Sequence, residues 1–497
     1  MSSLQDFTII NGVLVKYNGN GGEVTIPDTV TEIGGYYDDS QYKIWCGAFH
    51  ECKRVTSVKI PIGVKKICRR AFLNCTKLTS VNIPYGVKAI EEYTFFGCTR
   101  LASIVIPDSV KKIGEMAFCE CKRLKSIKIP SGVTKIMENT FANCENLQHI
   151  DLPSGLTEIA YSAFLGCVAL PSIILPDKVN KIGDYAFRGC SSIESIRLPG
   201  ALKKIGMLVL GGCERLSSIT VDETNSVYHS ANDCLIHTAT KMLIAGCKNS
   251  VIPNDGSVTG IERYAFHECV NLTSIYIPSS VTEISSWAFL SCSSLASITV
   301  DKDNPVYHSV ENCLIKTATK ELVLGCKNSI IPDDGSVTKI QTNAFGGCSG
   351  LNFMIIPSKI KEIGFCAFSN CTELVSVVIP ENVTKIGEGA FSLCTSLESV
   401  TIPPKVKKIE KWVFCGCGRL SSVKLPDGLT KIGDSAFASC EDLGSVAIPV
   451  SVKEISEGAF YNCRNLRDIW YSGTKEAWSY IKLNTSRKVK IHFGCDD

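Results

Sequence analysis

The stretch AFLNCTKLTSVNIPYGVKAIEEY, Ala71 to Tyr93, is one copy of a unit that recurs along almost the whole chain. Cysteine marks its phase. It falls at Cys52, Cys75, Cys98, Cys121, Cys144, Cys167, Cys190 and Cys213, each 23 residues after the last, and resumes at Cys269 and Cys292. The same step of 23 then runs from Cys348 to Cys463. A fixed period of roughly 20 to 50 residues means stacked supersecondary units, each burying its apolar face only against its neighbours. The architecture is therefore legible, whereas the partner is not.

In the quoted copy, Leu78, Val81 and Ile83 stand at i, i+3 and i+5, the pattern of one short parallel strand per turn. Proline follows because it lacks the donor that would continue the ladder. Sixteen of the nineteen prolines occupy this position, so they punctuate turns and form no site. V-x-x-I-G then turns the chain back, and A-F-x-x-C reads as a short helical or 3₁₀ turn. Phe49, Phe72, Phe95, Phe118, Phe141, Phe164 and Phe187 are expected to stack as an internal column, with Leu210 substituting once before Phe266, Phe289 and Phe345 continue it.

The expected fold is a right-handed α/β solenoid over residues 46–469, with roughly 18 strands spaced about 4.8 Å apart. Residues 1–45 read as a capping hairpin turning at Asn11-Gly12, a partial repeat and an aromatic loop. Residues 470–497, with Trp470 and Trp478, read as the C-terminal cap. Twice the step lengthens to 56 residues, from Cys213 to Cys269 and from Cys292 to Cys348. The inserted stretches, about 222–253 and 301–332, resemble each other at an offset of 79 residues. Each reads as an added turn plus a protruding hairpin that turns near Thr238–Lys241 or Thr317–Lys320.

Net charge is +3, with 52 basic and 49 acidic residues, so no strong field favours nucleic acid. No apolar run approaches a membrane span of about 18 residues or more. The first twenty residues lack the pattern of a secretory leader. The expected location is the cytoplasm; the alternative, secretion or the cell surface, applies if a leader was removed. Of 26 cysteines, sixteen share one repeat position, which suits buried free thiols better than a disulfide framework. Cys234 with Cys247, and Cys313 with Cys326, are placed to meet across the inserted hairpins as packed or paired thiols.

Seven histidines form no metal or catalytic motif, and no phosphate loop or nucleophile elbow is present. No catalytic residue, metal site or cofactor is expected. Candidate binding positions lie between the core aliphatics of the strand, where side chains face outward. The candidates are Lys59, Lys128, Asp151, Arg197, Tyr276, Phe353, Ile355 and Val378, the last three as an apolar patch. An insertion before Ala48 adds Tyr36, Tyr37, Tyr42 and Trp45, a tyrosine-rich loop of the kind that gives a rigid scaffold its specificity. A lysine stripe including Lys66, Lys135, Lys181 and Lys431, interrupted by glutamates such as Glu32 and Glu158, reads as a solvated face. Ser57, Ser80, Ser126 and Ser195 form a structural hydroxyl ladder, and Tyr93, Tyr185, Tyr264, Trp287 and Trp412 share one site before the A-F pair.

The order A-F-x-x-C-x-x-L-x-S-[IV]-x-[IL]-P-x-x-V-x-x-I-G resembles the BspA-like, or treponemal-type, leucine-rich-repeat family, over about Phe7 to Trp478. That resemblance implies a curved solenoid used for protein or host-matrix adhesion, often on bacterial surfaces, and it brings no catalytic residues. The expected role is a monomeric, non-catalytic scaffold that binds a protein partner through its inner sheet face and its protruding loops, the three hairpins and the Tyr36–Trp45 loop. Alternatives are an adhesin for host matrix or glycan and a structural spacer.

Overall fold

The computed structural model describes residues 3–34, 47–481, 483 and 488–494, with backbone alone at 37–38 and 43–44. The chain divides into two compact units, Met1–Ser250 and Val251–Asp497. Both are β-solenoids of the same 23-residue turn, and a regular turn is bonded to the next along three sides.

On the first side lies the ladder expected from the sequence. In the first unit, Ser195–Leu198 pairs in parallel with Ser218–Val221, setting Ile196 opposite Ile219. In the second, Ser399–Thr401 pairs with Ser422–Lys424. On the second side is a ladder that the sequence reading did not resolve. Lys135–Ile136, Glu158–Ile159, Lys181–Ile182 and Lys204–Ile205 pair in parallel, each isoleucine opposite the next. Lys408–Ile409, Lys431–Ile432 and Glu454–Ile455 repeat this in the second unit. A regular turn therefore carries two strands, not one. A two-residue strand is too short to generate an alternating pattern, which is why its K-I signature reads only as a bend.

The third side is not helical, although A-F-x-x-C was expected to form a helical or 3₁₀ turn. Donors there alternate. Ala71, Leu73 and Cys75 close local turns onto Cys68, Arg70 and Phe72, while Arg70, Phe72 and Asn74 donate to Glu92, Thr94 and Phe96 of the next turn at 3.0, 2.9 and 2.7 Å. The alternation requires left-handed backbone at Arg70 (φ 61°) and Asn74 (φ 57°), and it recurs at Tyr93 and Gly97, then at Met116 and Glu120. Left-handed residues interrupt an α-helix, so the segment binds its neighbour instead. Among the described residues the α-helix is Lys475–Trp478, whose first turn is capped by Thr474.

Inside, the phenylalanine column is continuous from Phe49 to Phe187, with ring centroids 5.1–5.6 Å apart and planes within 15°. It reappears from Phe345 to Phe460 in the second unit. The described cysteines are free thiols. Those of the repeat position have a defined bond: Cys98 donates S–H to the Phe72 carbonyl at 3.2 Å, and Cys394 to Phe368 at 3.1 Å. The Phe72 carbonyl also accepts the Cys75 N–H at 3.1 Å, so both of its lone pairs are used.

Each insertion is a three-stranded antiparallel meander. Tyr228–Ala231, Cys234–His237 and Met242–Ala245 form the first, and Tyr307–Val310, Cys313–Lys316 and Glu321–Leu324 the second. The turns expected at 238–241 and 317–320 are present. A further tight turn stands at Asn232-Asp233 (φ 49° and 60°) and at Glu311-Asn312 (φ 47° and 59°), the paired positive φ of a hairpin turn. Cys234 and Cys247 lie beside a shared Ser250 hydroxyl, 3.6 Å from the Cys247 sulfur.

These contacts predict specific losses. Phe164→Ala, in the middle of the column with the ring fully buried, should cost about 3–5 kcal/mol in chemical denaturation. Glu120 holds a left-handed φ of 59° where Gly97 and Gly166 occupy the same turn position, so Glu120→Gly should stabilise by about 1 kcal/mol. Burial also pushes the Cys394 thiol from 9.0 up to about 12. The folded chain then keeps a proton that the unfolded chain releases, so this stability is complete below pH 9 and lost as pH rises toward 12. Thermal midpoints followed by circular dichroism should fall across that window, less steeply in Cys394→Ala.

Candidate functional site

The outward positions of the first ladder are exposed as the strand alternation requires. In the first unit, Lys128 stands opposite Asp151 on adjacent strands, and Asp151 pairs with His149 at 2.8 Å. Arg197 is anchored to Asp222, with Asp177 4.0 Å away. Lys59 lies apart, on Val55–Lys59 of an earlier three-stranded sheet. Its neighbour Asn82 turns back into the ladder, accepting from the Ile60 N–H and donating to its carbonyl, both at 2.8 Å.

At Pro171 a rung of this face is broken, for a visible reason. Thr79, Lys125, Gln148 and Ser217 each donate their backbone N–H to the previous turn. At the equivalent position stands Pro171, which has no N–H to give. Ser172 to Pro176 form no strand, and a groove of about 540 Å³ opens there, lined by His149, Asp151, Ile174, Asp177, Lys178 and Arg197. Ile174 is 86% exposed amid these charges. Sequence reasoning named Asp151 and Arg197 but missed what joins them. The signal was present, since Pro171 is one of three prolines outside the punctuating position.

In the second unit, Ile355 stands opposite Val378 on adjacent strands and Phe353 opposite Ser376, so the three apolar candidates form one patch. They are 58%, 49% and 52% exposed, in the order Ile355, Val378, Phe353. Tyr276 is held elsewhere on this face, its hydroxyl donating to Asp301 at 2.5 Å. That bond raises the phenol above its ordinary range and lowers the Asp301 carboxyl. Of the tyrosine-rich loop, Tyr36, Tyr42 and Trp45 lie outside the described residues, as does the side chain of Tyr37.

Other stripes resolve into structure. Glu158 accepts from Lys181 at 2.6 Å and lies 2.9 Å from Lys135, so the lysine stripe is partly ion-paired between turns. Those two hydrogen bonds hold its carboxyl below the usual range against the effect of burial. Hydroxyl bonds between turns come from residues one place before the serine ladder, such as Thr79 to Thr56 at 2.8 Å. The aromatics before the A-F pair carry cations on their faces: Arg263 lies 4.8 Å from the Tyr264 ring and 4.9 Å from Trp287, and Lys411 lies 3.9 Å from Trp412.

The fold and its exposed strand face define a repeat solenoid with a broad surface. The chain belongs to the family described as BspA type leucine rich repeat region (6 copies), matched over residues 8–118, 42–167, 113–237, 244–335 and 338–467. Similar solved structures include a leucine-rich cell surface protein from Faecalibacterium prausnitzii, 25% identical over 98% of this chain and 96% of that one, TM-score 0.43. A leucine-rich repeat protein from Bacteroides ovatus is 26% identical over 99% and 97%, TM-score 0.41. A leucine-rich repeat protein from T. pallidum is 26% identical over 44% of this chain and 90% of that one, TM-score 0.33. No curated protein matches the chain. No helix among the described residues is long and apolar enough to cross a membrane.

If the outward residues are surface and not support, replacing them should leave the fold intact. Ile355→Ser with Val378→Ser should shift stability by no more than about 1 kcal/mol, measured by urea denaturation. A larger loss would assign the patch to the core.

Proposed function

We propose that the chain is a non-catalytic recognition scaffold that binds a protein partner through its first strand face, centred in the first unit on the groove at Pro171. The observation that carries this reading is Ile174, an apolar side chain left 86% exposed and ringed by Asp151, Asp177, Lys178 and Arg197. An apolar anchor inside a charged rim is the anatomy of a protein interface. Asp222 anchors Arg197 at that rim, and the rigid ladder beneath limits the entropy lost on binding. Lys128 and Lys59 extend the surface, and Phe353, Ile355, Val378 and Tyr276 supply a further contact in the second unit. The tyrosine-rich loop at Tyr36–Trp45 is proposed as an accessory contact. The chain is proposed to work as a monomer in a reducing compartment, where its buried free thiols stay reduced.

Affinity capture followed by mass spectrometry, with Ile174→Asp and Arg197→Glu as comparison baits, tests this reading. The partner recovered by the parent chain should fall at least about tenfold on either variant, which corresponds to about 1.4 kcal/mol. Equal recovery by parent and variants would place the interface elsewhere. Thiol titration of the freshly isolated chain in denaturant bears on the compartment, because a large deficit against 26 thiols would mean oxidation.

A further inference from the structure

A groove in the second unit lies on the other ladder, beside the second insertion. It arises because Glu321–Leu324, the third strand of the meander, joins that ladder in parallel with Lys339–Ile340 and replaces a regular turn. The resulting space is about 710 Å³. Glu321, Glu362, Glu388 and Glu410 line it against Lys339 and Lys385, leaving an excess of negative charge. Lys339 is shared between Glu321 at 3.3 Å and Glu362 at 3.6 Å. Burial opposes the Glu321 charge, but bonds from Gln341 and Thr319 outweigh it and hold the carboxyl below its usual range. Glu362, Glu388 and Glu410 stand on successive turns, with Lys385 opposite Glu362 across the ladder.

Two further features adjoin the groove, one on its wall and one behind it. One is aromatic: Phe365 lines the groove, 37% exposed, and stacks on Trp287 at 6.3 Å. Arg263 already lies against the other end of that aromatic strip, so guanidinium planes suit its chemistry. The other is an unmet donor. Asn343 is 9% exposed, and its Nδ2 has no acceptor. It lines a smaller inner space that shares Ser286, Gln341 and Thr342 with the groove.

We propose that this groove binds an extended basic peptide segment, whose arginine or lysine side chains enter among Glu362, Glu388 and Glu410 against the Phe365 ring. Carboxylates in a row accept charge-assisted bonds from guanidinium groups, and the ring supplies a cation face. This site is distinct from the strand face proposed above and does not rest on it.

Selection of a random octapeptide phage library on the immobilised full chain tests the proposal. Recovered sequences should carry two or more lysines or arginines. A synthetic peptide of the selected sequence should bind Glu388→Gln with Glu410→Gln at least tenfold more weakly, and Phe365→Ser several-fold more weakly. Ile174→Asp with Arg197→Glu should leave that affinity unchanged, which separates this site from the strand face. Both groove glutamates are at the surface, and matched thermal midpoints of the glutamine variant and the parent establish that the fold is retained. Selection of sequences without basic residues, selection of none, or equal affinity in the glutamine variant would overturn the proposal. Calorimetric uptake of calcium by the same residues, with no peptide bound, would replace the peptide by an ion and overturn it as well.

Discussion

Everything in this protein depends on the constraint that each turn must return to the same place after 23 residues. Only then do the donors of one turn meet the acceptors of the next. The Phe72 N–H reaches Thr94 and the Phe95 N–H reaches Ala117, so consecutive turns are sewn together through the segment that carries the column. The carbonyl of each such phenylalanine takes two donors, an N–H from its own turn and an S–H from the turn that follows. This explains cysteine at that position. Alanine would leave one lone pair unused beside a void, and a larger aliphatic would displace the ring. A weak donor of the right volume satisfies both demands.

The same constraint explains how much of the fold was legible. Phenylalanine, cysteine, leucine and proline recur as side chains, so their positions could be read directly. The second ladder could not, because its two-residue strands contain a single buried side chain each. Nor could the third side. Its left-handed residues are Arg70, Tyr93, Met116, Asn139 and Ser162 in successive turns, a column with one backbone conformation and no common side chain. Positive φ is usually announced by glycine or asparagine. Here inter-turn hydrogen bonds impose it on arginine, tyrosine and methionine, so composition conceals what geometry demands.

The candidate sites were legible to the extent that they follow the period. Lys128, Asp151, Arg197, Ile355 and Val378 face outward because alternation along a strand puts them there. Grouping them required knowledge of where the stack departs from regularity. Pro171 breaks one rung by lacking a single N–H, and the break turns isolated charges into the rim of a groove. The second groove is likewise a consequence of irregularity. An inserted meander can continue the ladder only through its last strand, Glu321–Leu324, and that substitution leaves room beside it.

A regular solenoid has little means of distinguishing one partner from another, because every rung offers nearly the same backbone and spacing. Specificity must then come from departures that the stack can tolerate. Those departures have to be local, since an error in turn length would misalign every donor beyond it. A proline that deletes one donor meets this condition, and so does an insertion whose final strand restores the register. The proline leaves the phenylalanine column beside it intact, with Phe164 stacked on Phe187, and beyond the meander the column resumes with Phe345 stacked on Phe368. The core thus permits recognition sites where a rung is lost, as at Pro171, and where an inserted strand rejoins the ladder, as at Glu321–Leu324.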